Sequence, residues 1–119
     1  MEGSEIPPQI QEKLARLKQM QQSLDAVLMQ KQQLDVELSE TDSAISELEK
    51  PTAGEIVYKL VGRVLIKGER DAILNELKEK KELLTLRQSS LAKQEVRLKE
   101  RLNEAQAQLR ESLGPQTNA

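Results

Sequence analysis

Covalent catalysis has little to work with in this sequence. Its 119 residues include no His and no Cys. That removes the histidine base, the thiolate nucleophile, zinc fingers, haem ligation and disulfide frameworks together. The adjacent hydroxyls of Ser89-Ser90 have no His or other base arranged beside them, so no nucleophile is expected there. The 20 Asp and Glu residues fall on helical or flanking stretches with no pocket-forming core. Gly62 and Gly68 are not phosphate-loop glycines, because the Gly-Lys-Ser/Thr signature is absent. The run Lys78-Glu79-Lys80-Lys81 reads as a solvated helix face. It is too small for nucleic acid and has no interleaved aromatics for stacking. A net charge of −2 supplies no basic field for nucleic acid or acidic membranes. No metal, no cofactor and no enzymatic activity is expected. What remains is apolar surface, and its chemistry is that of binding.

The elements that would carry such a surface follow from composition and breakers. There is one Tyr, no Phe and no Trp, with 37% apolar and 32% charged residues. Aromatics supply much of an ordinary core, so an elongated, mainly α-helical chain fits better than a compact ball. Prolines stand at 7, 8, 51 and 115, and glycines at 3, 54, 62, 68 and 114. The spans 9–49 and 69–113 contain neither and are rich in Leu, Gln, Glu, Lys and Ala. Each would be roughly 60 Å of helix at 1.5 Å per residue. The expected order is helix over 7–50, β-hairpin over 55–68, helix over 69–113, and a fraying tail over 114–119, forming one domain. Pro7 or Pro8 suits a first helical turn and Gly114-Pro115 a stop.

Both helices repeat every seven residues. In the first, Ile10, Leu17, Leu24, Lys31, Leu38 and Ile45 form one row, and Lys13, Met20, Val27, Leu34, Thr41 and Leu48 the other. Nine of these twelve are apolar, a stripe that buries itself only against another helix. Leu14 and Leu28 widen it. In the second, Leu77, Leu84, Leu91, Leu98 and Ala105 alternate with Lys81, Gln88, Glu95, Leu102 and Leu109, a leaner seam. Ile73, Leu83 and Leu86 add apolar surface near its start. Two such stripes joined by a short middle segment imply an antiparallel coiled-coil hairpin. Lys31 and Thr41 interrupt the seam and either specify register or loosen it. Met20 and Met29 read as ordinary helix residues or as adaptable contacts. The eight Gln between 9 and 33 read as a solvated, low-charge face or as simple helix propensity.

The middle segment, Ile56 to Lys67, is dense in β-branched residues and holds Tyr58. It reads as a hairpin turning at Gly62-Arg63, with Gly first as a type II′ turn prefers. Val61 then faces Val64, Leu60 faces Leu65, and Lys59 faces Ile66. One face carries Ile56, Tyr58, Leu60 and Leu65, and the other Val57, Val61, Val64 and Ile66. Both are apolar. A lone two-stranded hairpin is marginal in water and leaves two unpaired edges. Assembly with hairpins of other chains into a closed intersubunit β-barrel removes both defects.

Here the sequence resembles the β class of prefoldin subunits, archaeal in type. Ile6-Pro7-Pro8-Gln9-Ile10-Gln11 is similar to the family's opening. Leu24, Val27 and Leu28 with Gln30-Lys31-Gln32-Gln33-Leu34 are similar to its first helix. Val57-Tyr58-Lys59-Leu60-Val61-Gly62 followed by Val64-Leu65-Ile66-Lys67 is similar to its hairpin and is the most specific stretch. The likeness covers nearly the whole chain. It implies a hexamer of two α-class and four β-class subunits with a double β-barrel base and six coiled-coil tentacles. It also implies an ATP-independent holdase that captures non-native polypeptides and passes them to a group II chaperonin.

A holdase must offer apolar surface, and in that architecture the free helix ends lie farthest from the barrel. Ile6, Ile10, Leu14 and Leu17 mark one end, and Leu109 and Leu113 the other. Leu14 and Leu17 are expected first as seam residues, and Ile6 and Leu113 as exposed ends. The hairpin residues Ile56, Val57, Tyr58, Leu60, Val61, Gly62, Val64, Leu65 and Ile66 are the expected assembly surface. The opening Met1-Glu2-Gly3-Ser4-Glu5 is acidic and leads into no apolar run, so neither a secretory leader nor a membrane span is expected. A cytoplasmic location fits, and so does the lack of Cys. The alternative to a chaperone subunit is a passive coiled-coil adaptor or spacer within a hetero-oligomer.

Overall fold

The computed structural model describes residues 6–51 and 55–114. Four elements follow one another: α1 (Pro8–Glu49), β1 (Val57–Val61), β2 (Val64–Gly68) and α2 (Arg70–Leu113). The expected tail after Gly114, with Pro115, and the opening Met1–Glu5 lie outside the described residues.

The helix ends follow from local chemistry. Pro8 opens α1 where a missing N–H costs nothing. The Pro7 carbonyl accepts bonds from the N–H groups of Ile10 and Gln11, both at 3.0 Å. The helix stops just before Pro51, whose ring disfavours helical geometry in Lys50. Glu69, expected inside the second helix, instead caps it: its carboxylate accepts the Ala72 N–H at 3.4 Å. At the far end Gly114 adopts a left-handed φ of 71°. Its N–H donates to the carbonyls of Arg110 at 3.2 Å and Glu111 at 3.1 Å, which ends α2.

The chain divides into two compact units, and α1 and α2 contribute to both. The first comprises residues 6–31 and 91–114. Leu24, Val27, Leu91 and Leu102 are buried in it, with Ile10, Lys13, Leu17, Met20, Leu98, Ala105 and Leu109 half-buried beside them. Lys13 Nζ donates to the Ser112 hydroxyl, and Lys31 meets Glu95 at 2.5 Å. An early α1 residue thus faces a late α2 residue, so the helices run antiparallel here. The second unit comprises residues 32–90. Leu34, Thr41, Ile45 and Leu84 are its buried residues. Gln88 donates to Asp35 at 3.0 Å, Lys81 pairs with Asp42 at 2.8 Å, and Lys78 with Glu49 at 3.6 Å. The order is again antiparallel.

All twelve positions of the first heptad stripe are buried or half-buried, as are all positions of the second except Lys81. Lys81 is exposed and turns to Asp42. Leu14 and Leu28, expected to widen the stripe, stay exposed because they sit one position off it. The two interruptions are accommodated differently. Thr41 is only 3% exposed, and its hydroxyl donates to the Glu37 carbonyl at 2.8 Å, so nothing polar is left unmet. Lys31 is matched by an acid on the opposite helix.

In the hairpin, Val61 pairs with Val64, Leu60 with Leu65, Lys59 with Ile66, Tyr58 with Lys67 and Val57 with Gly68. Gly62 has φ 61°, and Arg63 has no positive φ, which is the type II′ pattern. Ile56 precedes β1 and takes no part in the ladder. Gly68 is the last ladder residue of β2, at the expected end of the hairpin, and Glu69 makes the transition to α2.

Candidate functional site: the exposed hairpin and its seat

Period-two alternation assigns the hairpin side chains to two faces. Tyr58, Leu60, Leu65 and Lys67 share one; Val57, Lys59, Val61, Val64, Ile66 and Gly68 share the other. The second face is the one anchored to α2. Lys59 Nζ lies 2.6 Å from the Glu76 carboxylate. A Cβ on residue 68 would be driven into the Ile73 side chain, with Ile73 Cγ1 at 3.2 Å. Glycine therefore lets the end of β2 close onto α2. Between hairpin and helices an open cleft of about 610 Å³ is lined by Ala44, Leu48, Val57, Leu60, Ile73 and Leu77 together with Glu47, Lys59, Glu76 and Lys80.

Anchoring covers little of the apolar surface. Val57 is half-buried, but Ile56, Tyr58, Val61, Val64 and Ile66 are exposed, and Leu60 and Leu65 remain 66% and 65% exposed. Among the described residues, nothing covers these seven exposed side chains. An exposed apolar patch of this kind on a small chain is the usual mark of an interaction surface, and both strands keep an unpaired edge.

The expected client-contact residues gather in the unit formed by residues 6–31 and 91–114. The Lys13–Ser112 bond places the start of α1 beside the end of α2. Ile6 and Leu113 are exposed, at 46% and 38%, and Leu14 is exposed as well. Ile10, Leu17 and Leu109 are half-buried along the seam. Leu14 was read first as seam and instead faces solvent. Of the two methionines singled out, Met20 is half-buried on the stripe and Met29 is exposed.

Two polar devices escaped the residue-by-residue reading. The first is Lys31–Glu95–Lys99. Glu95 accepts from Lys31 at 2.5 Å and from Lys99 at 2.6 Å. The Lys31 hydrogen bond above all, then that of Lys99, holds the Glu95 carboxyl down at about 2 against partial desolvation. The signal was present: Lys31 interrupts one stripe and Glu95 the other. The second is Arg70, whose guanidinium donates from Nε to the Leu48 carbonyl at 2.6 Å and from Nη2 to the Lys50 carbonyl at 2.8 Å. Among the described residues, no group of three or more carboxylates is placed to hold a metal ion, and no helix is long and apolar enough to cross a membrane.

The same order of elements recurs in known proteins. A family model described as "Prefoldin subunit" matches residues 11–116. The chain belongs to the prefoldin family. It is 44% identical over 112 residues to the prefoldin subunit beta of Methanothrix thermoacetophila, covering 94% of this chain and 93% of that one. It is also 44% identical over 110 residues to the prefoldin subunit beta of Pyrobaculum calidifontis, covering 92% and 88%. The crystal structure of the prefoldin beta subunit from Thermococcus strain KS-1 superposes with a TM-score of 0.80 at 41% identity, over 93% of this chain and 97% of that one. Two long coiled-coil helices flanking a single β-hairpin are thus shared with a prefoldin β subunit. Family membership brings with it the chaperone role of prefoldin subunits.

Proposed function

We propose that the chain is the β-class subunit of a hexameric prefoldin, two α-class and four β-class chains, acting as an ATP-independent holdase. The hairpins of several chains close into a β-barrel, and the free helix ends capture non-native polypeptides before transfer to a group II chaperonin. The observation that carries this reading is the hairpin, with exposed apolar side chains on both faces and both edges open, anchored to α2 on one side but left largely uncovered. A barrel of partner strands satisfies edges and faces together. Capture then falls to Ile6, Ile10, Leu14, Leu17, Leu109 and Leu113. Three of them already face solvent, and the half-buried three become available if the seam parts at its end. Each would cover client surface at about 25 cal/mol per Å², and several copies on one client multiply weak contacts through effective concentration. Nucleotide has no role in such capture.

The test is reconstitution with an α-class subunit. Native mass spectrometry should give the two-plus-four complex, and that complex should delay aggregation of a chemically denatured protein without nucleotide. Removing residues 1–17 and 109–119 should leave assembly intact and abolish protection. Undiminished protection after trimming would leave the chain as a passive spacer.

A further inference from the structure

Arg70 sits at the end of a helix whose dipole disfavours a cation. It is the first residue of α2, the end at which the helix macrodipole favours negative charge. The free backbone groups at that end are N–H donors, so the helix backbone offers it no acceptor, and its guanidinium bonds go instead to carbonyls 20 and 22 residues away. The mismatch resolves across the hairpin. The last turn of a helix leaves carbonyls without an intrahelical partner, and that of α1 carries no basic residue. Arg70 reaches two of that end's carbonyls, those of Leu48 and Lys50, with two nitrogens of one planar guanidinium. The charge opposed by one helix end is welcomed by the other. A residue that breaks a local rule and is compensated from elsewhere marks a site with a specific task.

The place of the bond defines that task. Residues 51–69, which contain the whole hairpin, leave the helices after Lys50 and return to them at Arg70. The guanidinium therefore ties the end of α1 to the start of α2, the two helix ends between which the hairpin is inserted. Lys59–Glu76 and the Gly68–Ile73 contact then fix its tilt on α2. We infer that Arg70 is a positioning residue: it locks the two helix ends that flank the hairpin so that the hairpin's two faces and edges are presented to neighbouring subunits in one fixed orientation. The inference rests on the proposed assembly through the hairpin. It says which residue outside the contact surface controls that assembly, by reducing the orientations that would have to be lost on binding.

The chain has no cysteine, so spin labels can be placed cleanly at Arg63→Cys in the turn and Glu82→Cys on α2. In the full-length double-cysteine chain the label separation should be narrowly distributed. Arg70→Met should broaden it and weaken assembly with an α-class subunit at least tenfold, with helix content by far-UV dichroism unchanged. Arg70→Lys should recover part of both, because an ammonium lacks the planar two-point fork. An unchanged distribution in Arg70→Met overturns the inference. If Arg70→Met instead loses helix content generally, Arg70→Lys decides: a clasp requires its loss of assembly to track its broadening, and a loss of assembly at the parent's narrow separation overturns the inference. Leu60→Asp separates this inference from the reading beneath it. That variant should fail to assemble while keeping the narrow separation. If it assembles normally, hairpin-mediated assembly is wrong, and the label distances still judge the clasp.

Discussion

Leu60 and Leu65 face each other across the ladder and are about two-thirds exposed in the isolated chain. Replacing both with Ser removes exposed apolar surface that the proposed partner strands would cover. Complete burial of a leucine contributes about 1.5–3 kcal/mol. Two-thirds of that is about 1–2 kcal/mol per residue, or about 2–4 kcal/mol for the pair. At about 1.4 kcal/mol per tenfold, the dissociation constant with an α-class partner should rise roughly 30- to 1000-fold. The isolated chain should hardly notice, because substitutions at exposed positions stay within about 0.5 kcal/mol. Sedimentation velocity across a dilution series reads the assembly, and thermal unfolding of the chain alone reads its stability. A Leu60→Ser/Leu65→Ser chain that assembles within threefold of the parent would refute the assignment of this face to subunit contact. So would a large fall in melting temperature of the isolated chain, because the pair would then belong to an intramolecular core.

Leu34 is 4% exposed, and Leu34→Ala should cost about 2–5 kcal/mol in chemical denaturation, whereas Leu28→Ala, on the exposed side of the same helix, should stay within about 0.5 kcal/mol. Gly62 turns at φ 61°, so Gly62→Val should destabilise the turn by about 1–2 kcal/mol; hairpin amide exchange would show it, and unaltered protection would contradict the type II′ assignment. Glu95 is held at about 2 against an ordinary 4.5. In the unfolded chain it takes up its proton first, so its contribution to stability is complete above 4.5 and is lost as pH falls toward 2. Urea unfolding between those limits should show a shallower acid decline for Glu95→Gln than for the parent, and identical slopes would remove Glu95 from the seam's electrostatics.

Much of the fold is legible in the residues because its main rules are local and periodic. A 3.5-residue stripe names the buried side of a helix whatever it packs against, and all twelve positions of the α1 stripe are buried or half-buried. The hairpin register was equally readable, because Gly62-Arg63 dictates which residues oppose each other. The pairing of Lys31 with Glu95 was not. Each interrupts its own stripe, but which acid meets which base depends on the axial offset of two helices, and a heptad repeat is nearly as well satisfied one repeat away. Leu14 was misplaced for a related reason, since a leucine one step off the stripe looks apolar in sequence and falls outside the contact in space.

The order of residues alone thus determined the elements, their buried stripes, the turn and the surplus of apolar surface on the hairpin, all of which follow from breakers and from periods of 3.5 and 2. Only the tertiary structure decided the axial match of the helices, the side of the hairpin that meets α2, and the grasp of Arg70 on the carbonyls of Leu48 and Lys50. Those features join groups 17 to 64 residues apart in the chain. A backbone carbonyl is the same acceptor at every position, so nothing in the residue order shows which one a distant side chain will reach.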